Sequence, residues 1–165
     1  MDVFVANKEL TLPSGDKVRC AIGRGGINLT KMEGDGVTPI GNWEMRRILY
    51  RPDKLSAPIS GLPAFPVTKN DGWCDESSDP NYNKPVKRPY PTSCEAMWRD
   101  DNLYDVVVIL GHNDNPPIAG LGSAIFLHVA KADYSPTEGC VALPIKILLK
   151  LLKSCNIGDR LCIGN

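Results

Sequence analysis

The sequence predicts a mainly β fold of the α+β class, in which strands outnumber a few short helices. Three observations support this prediction. Short alternating segments separated by turn residues recur in the first third of the chain. Residues 104–110 form a run rich in β-branched side chains, as expected of a strand buried on both faces. A helical pattern begins at Pro144, which suits a first turn, and lysines then recur on one face at 146, 150 and 153.

The first fifty residues predict four strands joined by turns. Asn7-Lys8 and residues 13–16 have the composition of hairpin turns, and apolar side chains alternate within residues 17–22. The glycine-rich residues 23–41 match neither a phosphate-binding loop nor a dinucleotide fingerprint, so we interpret them as a set of turns. The four predicted strands are 3–6, 9–12, 17–22 and 43–50.

Residues 51–102 differ from the rest of the chain because Pro, Asn, Asp and Ser dominate, with aromatic residues between them. A loop this long is usually functional or disordered, and its large aromatic side chains favour an ordered flap. Trp73, Tyr82 and Asn83 could line a pocket or pin this segment to the core, and composition does not separate the two roles. Charge and apolar content mark no boundary, so we expect one domain over 1–165 with 51–102 as a loop-rich insertion.

The last third of the chain is strongly patterned. Residues 123–130 alternate as a strand does, so His128 leaves the sheet on the same face as Phe126, near the strand end. The helix that begins at Pro144 ends at Asn156-Ile157-Gly158, and residues 160–163 predict a final strand.

The composition excludes several classes of partner. Nineteen basic residues balance nineteen acidic ones, so no basic field exists to hold nucleic acid. The longest apolar stretches are far too short to cross a bilayer, so we expect no membrane insertion. The N-terminus lacks the pattern of a signal peptide, so we expect a cytoplasmic protein, or a periplasmic one if a leader has been removed.

Six cysteines are present, and no C-x-x-C pair occurs. A structural zinc site is therefore poorly supported, and in a reducing compartment we expect free thiols rather than disulfides. We expect neither a metal nor another cofactor. His112, in Gly111-His112-Asn113, is interpreted as a turn residue rather than a second base or a ligand.

Cys140 and His128 are the candidate catalytic pair. Cys140 follows Gly139 and precedes the predicted helix by four residues, so its thiolate and an oxyanion could both be stabilised there. His128 lies at a strand end and could deprotonate the thiol. From the residues alone, a nucleophile and a buried thiol beside an unrelated histidine both stay open. Glu138 adds a negative charge that disfavours a thiolate unless it points elsewhere.

Three blocks carry a resemblance to a known family. They are E-G-D-G-V-T-P-I-G at 33–41, G-S-A-I-F-L-H at 122–128 and S-P-T-E-G-C-V at 135–141. Their sequence, order and spacing resemble the L,D-transpeptidase catalytic domain of the YkuD type, a family of cysteine enzymes of the bacterial cell wall. The resemblance covers nearly the whole chain and implies a β-sandwich or barrel with a few short helices and the long loop insertion.

The resemblance implies a role for each site residue. Cys140 would be the nucleophile, His128 its base, and the carbonyl of Val129 the group that orients the histidine. Gly139 and Cys140 would supply the oxyanion N–H groups. Further substrate contacts are expected at Trp73, Tyr82, Asn83, Asn113, Ser123 and Thr137.

The sequence departs from the family pattern beside the nucleophile. Glu138 stands where the family usually has histidine, Ala142 where it commonly has arginine, and Val129 where glycine or serine is common. These changes concern the handling of the substrate more than the chemistry.

The implied substrate is the peptidoglycan stem tetrapeptide, free or as a muropeptide. Attack at the L-centre of its diamino acid forms a thioester and releases the terminal D-alanine. Because we expect a cytoplasmic protein, we expect an L,D-carboxypeptidase in peptidoglycan recycling. The alternatives are an exported L,D-transpeptidase that forms cross-links and a wall-peptide binding module without turnover.

Overall fold

The computed structural model describes residues 1–164, in which short strands dominate and a single helix follows the thirteenth strand. The elements, in chain order, are β1 (Asp2–Ala6), β2 (Glu9–Thr11), β3 (Lys17–Arg19), β4 (Ile27–Asn28), β5 (Thr38–Pro39), β6 (Gly41–Tyr50), β7 (Ala64–Pro66), β8 (Asp71–Cys74), β9 (Pro85–Lys87), β10 (Cys94–Ala96), β11 (Val106–Leu110), β12 (Phe126–Val129), β13 (Val141–Leu143), α1 (Ile145–Leu152) and β14 (Arg160–Ile163).

Nine strands form one sheet that curls into a nearly closed barrel. Its order is β13-β12-β11-β6-β14-β1-β2-β3, with β7 added beside β6. Ala21, just beyond β3, exchanges two backbone hydrogen bonds of 2.9 Å with Ala142 in β13. This bridge joins the first strand of the path to the end of the last, and it lies two residues from Cys140.

Two apolar cores lie on opposite faces of this sheet. On β11, Val106, Val108 and Leu110 face a core inside the barrel, which α1 also covers. Val107 and Ile109 face a second core on the outside of the barrel. Because β11 is buried on both faces, its sequence is continuously apolar rather than alternating.

The segment 51–102 covers the outer face of the barrel. It contains β7 and a separate three-stranded sheet in the order β10-β8-β9. Trp73 in β8 packs edge-to-face on Phe126 in β12, with 5.1 Å between ring centroids. The segment is therefore the outer wall of the second core, and Cys140 belongs to that core.

The predicted mainly β fold is confirmed. Within residues 1–164, however, the helical part is one helix, not several. The glycine-rich span is not only turns, because β4 and β5 pair within it. The strand predicted at 123–130 begins at Phe126, since Ala124 has a φ of 52°. No helix of the described chain is long and apolar enough to cross a membrane.

Candidate active site

His128 lies in β12 and Cys140 directly precedes β13, the parallel neighbour of β12, so both residues face the same cavity. The register pairs Leu127 with Val141 and His128 with Ala142, so Cys140 comes opposite Phe126 at the start of the ladder. Paired residues project to the same face, which here is the outer face of the barrel. Both side chains line a cavity of about 410 Å³, a volume within the usual range for small-molecule sites.

The thiol of Cys140 is buried and bonded to backbone groups. It donates to the carbonyl of Ala124 at 3.1 Å and accepts from the N–H of Phe126 at 3.3 Å. Burial raises the pKa of Cys140 to about 12, and the nearby carboxylate of Glu95 acts in the same direction. The thiol is therefore protonated at neutral pH in the free protein.

His128 is held as a neutral base. Its Nδ1 donates to the carbonyl of Val129 at 2.9 Å, which leaves Nε2 unprotonated on the other edge of the ring. Burial lowers the pKa of His128 to about 4, against a smaller opposing effect of the Val129 carbonyl. Tyr104 packs edge-on against the imidazole, with 5.3 Å between ring centroids. The predicted partner of the histidine, the carbonyl of Val129, is the one that the structure provides.

The backbone at residues 139–140 is fixed by two threonines. The hydroxyl of Thr38, fully buried, donates to the carbonyl of Gly139 and accepts from the N–H of Gly23, both at 2.8 Å. Across a trans peptide the N–H of Cys140 points away from that carbonyl. Within residues 1–164 that N–H has no hydrogen-bond acceptor, which leaves it available to an oxyanion.

Gly139 was predicted to supply a second oxyanion N–H, but that group is already engaged. It donates to the hydroxyl of Thr137 at 3.1 Å, and the same hydroxyl donates to the carbonyl of Cys140 at 2.6 Å. A second donor at Gly139 would require this turn to open. The geometry thus favours Cys140 N–H as the ready donor.

Close backbone packing at glycines holds the Gly139–Cys140 turn in place. A Cβ on Gly139, which has a φ of 134°, would lie 2.8 Å from the carbonyl oxygen of Val37. A Cβ on Gly23 would lie 2.0 Å from the carbonyl oxygen of Gly36 and 2.8 Å from the Cα of Gly139. The glycine-rich span therefore brings its backbone against the Gly139–Cys140 turn, where side chains do not fit.

Glu138 forms an ion pair on the surface. Its carboxylate accepts from Nε of Arg24 at 2.8 Å, and Nη2 of the same arginine donates to the carbonyl of Gly34 at 2.9 Å. Both side chains are mostly exposed. Glu138 lies at the rim of the cavity and is paired with Arg24. The charge that raises the pKa of Cys140 is that of Glu95, not that of Glu138.

Two of the six predicted substrate contacts, Ser123 and Thr137, line the cavity. The hydroxyl of Ser123 is buried and has no hydrogen-bond partner in residues 1–164. It is a free polar group in a cavity wall, and a ligand could use it. Thr137 is occupied by the backbone of the Gly139–Cys140 turn.

The other four, Trp73, Tyr82, Asn83 and Asn113, do not line this cavity. Asn83 accepts from Nε1 of Trp73 at 2.9 Å and from the N–H of Ala124 at 3.0 Å, and it donates to two backbone carbonyls at residues 112 and 113. Tyr82 bonds to the carboxylate of Glu33 and accepts from the N–H of Gly122. The polar groups of Trp73, Tyr82 and Asn83 attach the insertion to the barrel, and the role of all four residues as substrate contacts stays a prediction.

Asn113 shapes its own loop, since its side chain bonds to the backbone of Ile118 and Gly122. Asn83 contacts the site indirectly, through the backbone of Ala124. It holds the N–H of Ala124, and the carbonyl of Ala124 accepts the thiol of Cys140.

The sequence interpretation missed the wall that the insertion contributes. Glu95 and Arg99 of the insertion line the cavity together with Leu103 and Tyr104, which directly follow it. Tyr104 donates from its hydroxyl to Glu95, and Arg99 lies 5.1 Å from the Tyr104 ring centroid. An acidic residue in a short segment of loops and strands gives no periodic signal, so nothing in the pattern marked Glu95.

The structure also bears on the other predicted uses of the polar residues. All six cysteines are free, and no group of three or more potential metal ligands occurs in residues 1–164. His112 is buried edge-to-face against Trp43, with 4.8 Å between ring centroids, and burial lowers the pKa of His112 to about 4. It does not line the cavity of the catalytic pair.

Comparison with known proteins addresses the family. Comparisons with curated proteins and with solved structures find no match. The family model of the L,D-transpeptidase catalytic domain (YkuD) matches residues 2–163. That match includes Cys140, His128, the glycine-rich span 23–41 and the insertion 51–102. The chain belongs to the L,D-transpeptidase catalytic domain family.

Proposed function

We propose that this protein is an L,D-carboxypeptidase that removes the terminal D-alanine from peptidoglycan stem tetrapeptides through a thioester on Cys140. The observation that carries the proposal is one cavity holding a cysteine, a neutral histidine and a free backbone N–H together. Family membership supports the cysteine–histidine chemistry in general. The bond to the terminal D-alanine, water as the acyl acceptor and the cytoplasmic location are our proposals.

The first step uses the neutral pair. As the thiol rotates from the carbonyl of Ala124, Nε2 of His128 takes its proton, and the sulfur attacks the carbonyl carbon at the L-centre of the diamino acid. Because the pKa of Cys140 is high and that of His128 is low, the ion pair is disfavoured at rest. The proton therefore moves as the carbon–sulfur bond forms, which is general-base catalysis.

The oxyanion of the tetrahedral intermediate accepts a hydrogen bond from the N–H of Cys140. Collapse breaks the carbon–nitrogen bond, and His128 returns the proton to the departing amino group of D-alanine. Water then attacks the thioester with His128 again as base. The tripeptide leaves, and the thiol of Cys140 is restored.

The shape of the cavity supports water as the acceptor. Cys140 is only 7% exposed, at the base of a cavity of about 410 Å³ walled by the insertion. This volume lies towards the lower end for ligand sites, so it suits the end of one peptide better than two peptides meeting at the sulfur. The six free cysteines fit a reducing compartment, and we place the reaction in the cytoplasm on recovered muropeptides.

The test is to incubate the protein with a stem tetrapeptide, with and without an amine acceptor, and to follow D-alanine release and product mass. We expect D-alanine and tripeptide in equal amounts in both incubations, and no release by Cys140→Ala. Acceptor-dependent dimers would instead establish the second candidate, an exported L,D-transpeptidase, which family membership favours equally.

A third candidate is a wall-peptide binding module without turnover. The observation in its favour is that both hydrogen bonds of the Cys140 sulfur go to backbone groups and neither goes to His128. A covalent adduct on Cys140, seen by intact-protein mass spectrometry after acid quenching, would exclude it. Peptide binding with neither an adduct nor D-alanine release would establish it.

A further inference from the structure

Glu95 is a carboxylate in the cavity wall, and no cationic side chain within residues 1–164 forms an ion pair with it. The register of β10 and β8 places Glu95 opposite Trp73, so both face the barrel. Its carboxylate accepts a hydrogen bond from the hydroxyl of Tyr104. No Lys, Arg or His of residues 1–164 forms a salt bridge with it.

The cationic side chains that line the cavity do not form hydrogen bonds or ion pairs with Glu95. Arg99 donates from Nε and Nη2 to the carboxylate of Asp101, at 2.9 and 2.6 Å. Lys31, 8% exposed, bonds to Asp35 and to the carbonyl of Met32. Lys131 lies exposed at the rim.

An unpaired carboxylate in this position is costly for the fold and for the chemistry. Partial burial raises the pKa of Glu95, which records the unfavourable desolvation of its charge. The same charge raises the pKa of Cys140 and opposes the negative charge that develops on the sulfur and the oxyanion. A ligand that carries a positive charge would compensate the unpaired charge of Glu95.

We propose that Glu95 binds an ammonium group of the substrate, the free side-chain amine of the diamino acid in the stem peptide. This inference rests on the proposed function, and it names the substrate feature that the site selects. The amine belongs to the residue whose carbonyl Cys140 attacks, so one cavity holds the scissile carbonyl and the charged side chain. Binding of the ammonium neutralises Glu95 and removes a charge that opposes attack by the sulfur.

The consequence is selectivity for stem peptides that carry a free amine. A charge-assisted hydrogen bond in a partly buried site contributes about 10- to 100-fold to discrimination. We expect wild-type kcat/KM to be higher by that factor for a tetrapeptide with a free side-chain amine than for the same peptide N-acetylated there. The Glu95→Gln variant should lower this preference to within about threefold, and Glu95→Asp should retain part of it.

Glu9→Gln is the matched control, because it removes one negative charge at an exposed site in β2, outside the cavity. It should leave the preference unchanged. Circular dichroism and thermal melting of each variant check that it is folded. If Glu95→Gln is folded and keeps the full preference for the free amine, Glu95 does not bind that group.

Binding separates this inference from the proposed function. Calorimetry with Cys140→Ala measures the affinity for both peptides without turnover, and Cys140→Ala with Glu95→Gln measures it without the carboxylate. Tighter binding of the free amine that depends on Glu95, with no D-alanine release by the wild type, would overturn the proposed function alone. Equal release from both peptides by the wild type would overturn the role of Glu95 alone.

Discussion

Thr38 in β5 is hydrogen-bonded to the Gly139–Cys140 turn, and removing its hydroxyl tests how that turn is held in place. Its Oγ1 accepts from the N–H of Gly23 and donates to the carbonyl of Gly139, each at 2.8 Å in a fully buried position. Thr38→Val keeps the shape of the side chain and removes both hydrogen bonds.

The size of the expected loss of stability follows from the two backbone groups that lose their hydrogen-bond partner. The N–H of Gly23 and the carbonyl of Gly139 would both stay buried without that partner, and each such group costs about 1–3 kcal/mol. We therefore expect the free energy of unfolding of Thr38→Val to fall by about 2–6 kcal/mol. The Gly139 carbonyl would also be free to rotate, and the N–H of Cys140 rotates with it. Loss of a whole oxyanion donor lowers kcat by about 100- to 1000-fold, so we expect a partial loss of about 10- to 100-fold here.

The assay pairs urea unfolding with D-alanine release, measured under conditions in which each variant is folded. Thr38→Ser keeps the hydroxyl, so its kcat should stay within about threefold of wild type, because the oxyanion donor is unchanged. KM should change less than kcat in Thr38→Val, since the oxyanion exists only in the reaction. Thr30→Val, at an exposed threonine nearby in the chain, is the control. A folded Thr38→Val with the kcat of Thr38→Ser would refute the reasoning.

Three further predictions follow from burial and backbone geometry. His128 has a pKa of about 4 in the folded protein against about 6.5 unfolded. The unfolded chain therefore binds the extra proton between these values, so stability falls as pH drops from 6.5 towards 4, by about 3 kcal/mol. His128→Gln should lose less stability over this range in urea titrations, and an equal loss would contradict the buried neutral imidazole. Iodoacetamide at neutral pH should modify Cys94, the one cysteine that is not fully buried, before Cys140, as read by peptide mass spectrometry. Faster labelling of Cys140 would indicate a thiolate at rest. Gly139→Ala should lose at least about tenfold in activity and about 1–3 kcal/mol in stability, because its φ is 134° and its Cβ meets the Val37 carbonyl. Gly120→Ala has positive φ but open space around it, so similar behaviour of the two variants would exclude the contact as the cause.

The sequence predicts those strands that are long enough for burial to leave an apolar run or an alternation in the sequence. Val106–Leu110 is buried on both faces, and its apolar run is the direct record of that burial. Val141–Leu143 is buried as well, yet it was not predicted, because three residues are too few to show a period. It is held by its ladder with β12 and by the bridge between Ala21 and Ala142, which joins distant parts of the chain.

The glycine-rich span shows a second limit of local interpretation. By pattern it predicts turns, and the structure shows why glycines are needed there: the backbone of Gly23 and Val37 packs against Gly139, more than a hundred residues away. Such close approach of two backbones leaves no trace in hydrophobic periodicity. The likeness of the whole block to a family pattern was the only sequence signal for it.

Within the site, Cys140 and His128 were identifiable because their flanking residues form recognisable blocks. Their roles stay predictions until activity is measured. Three of the six predicted substrate contacts belong to the insertion, and these three attach it to the barrel. Trp73, Tyr82 and Asn83 are conspicuous in composition because a segment with only short strands needs specific side-chain hydrogen bonds to stay in place.

The charges of the cavity connect the protonated resting state of Cys140 with the reaction that we propose for it. In the free protein the thiol is protonated, the imidazole is neutral and Glu95 opposes any negative charge on the sulfur. A substrate whose ammonium reaches Glu95 excludes water from the same cavity, which strengthens the hydrogen bond from Cys140 N–H to the oxyanion. Because both effects require the substrate, the barrier falls for the intended peptide rather than for small electrophiles. The low reactivity of Cys140 towards iodoacetamide that we predict and the selectivity that we propose for Glu95 would therefore have one cause, the arrangement of charges in the cavity.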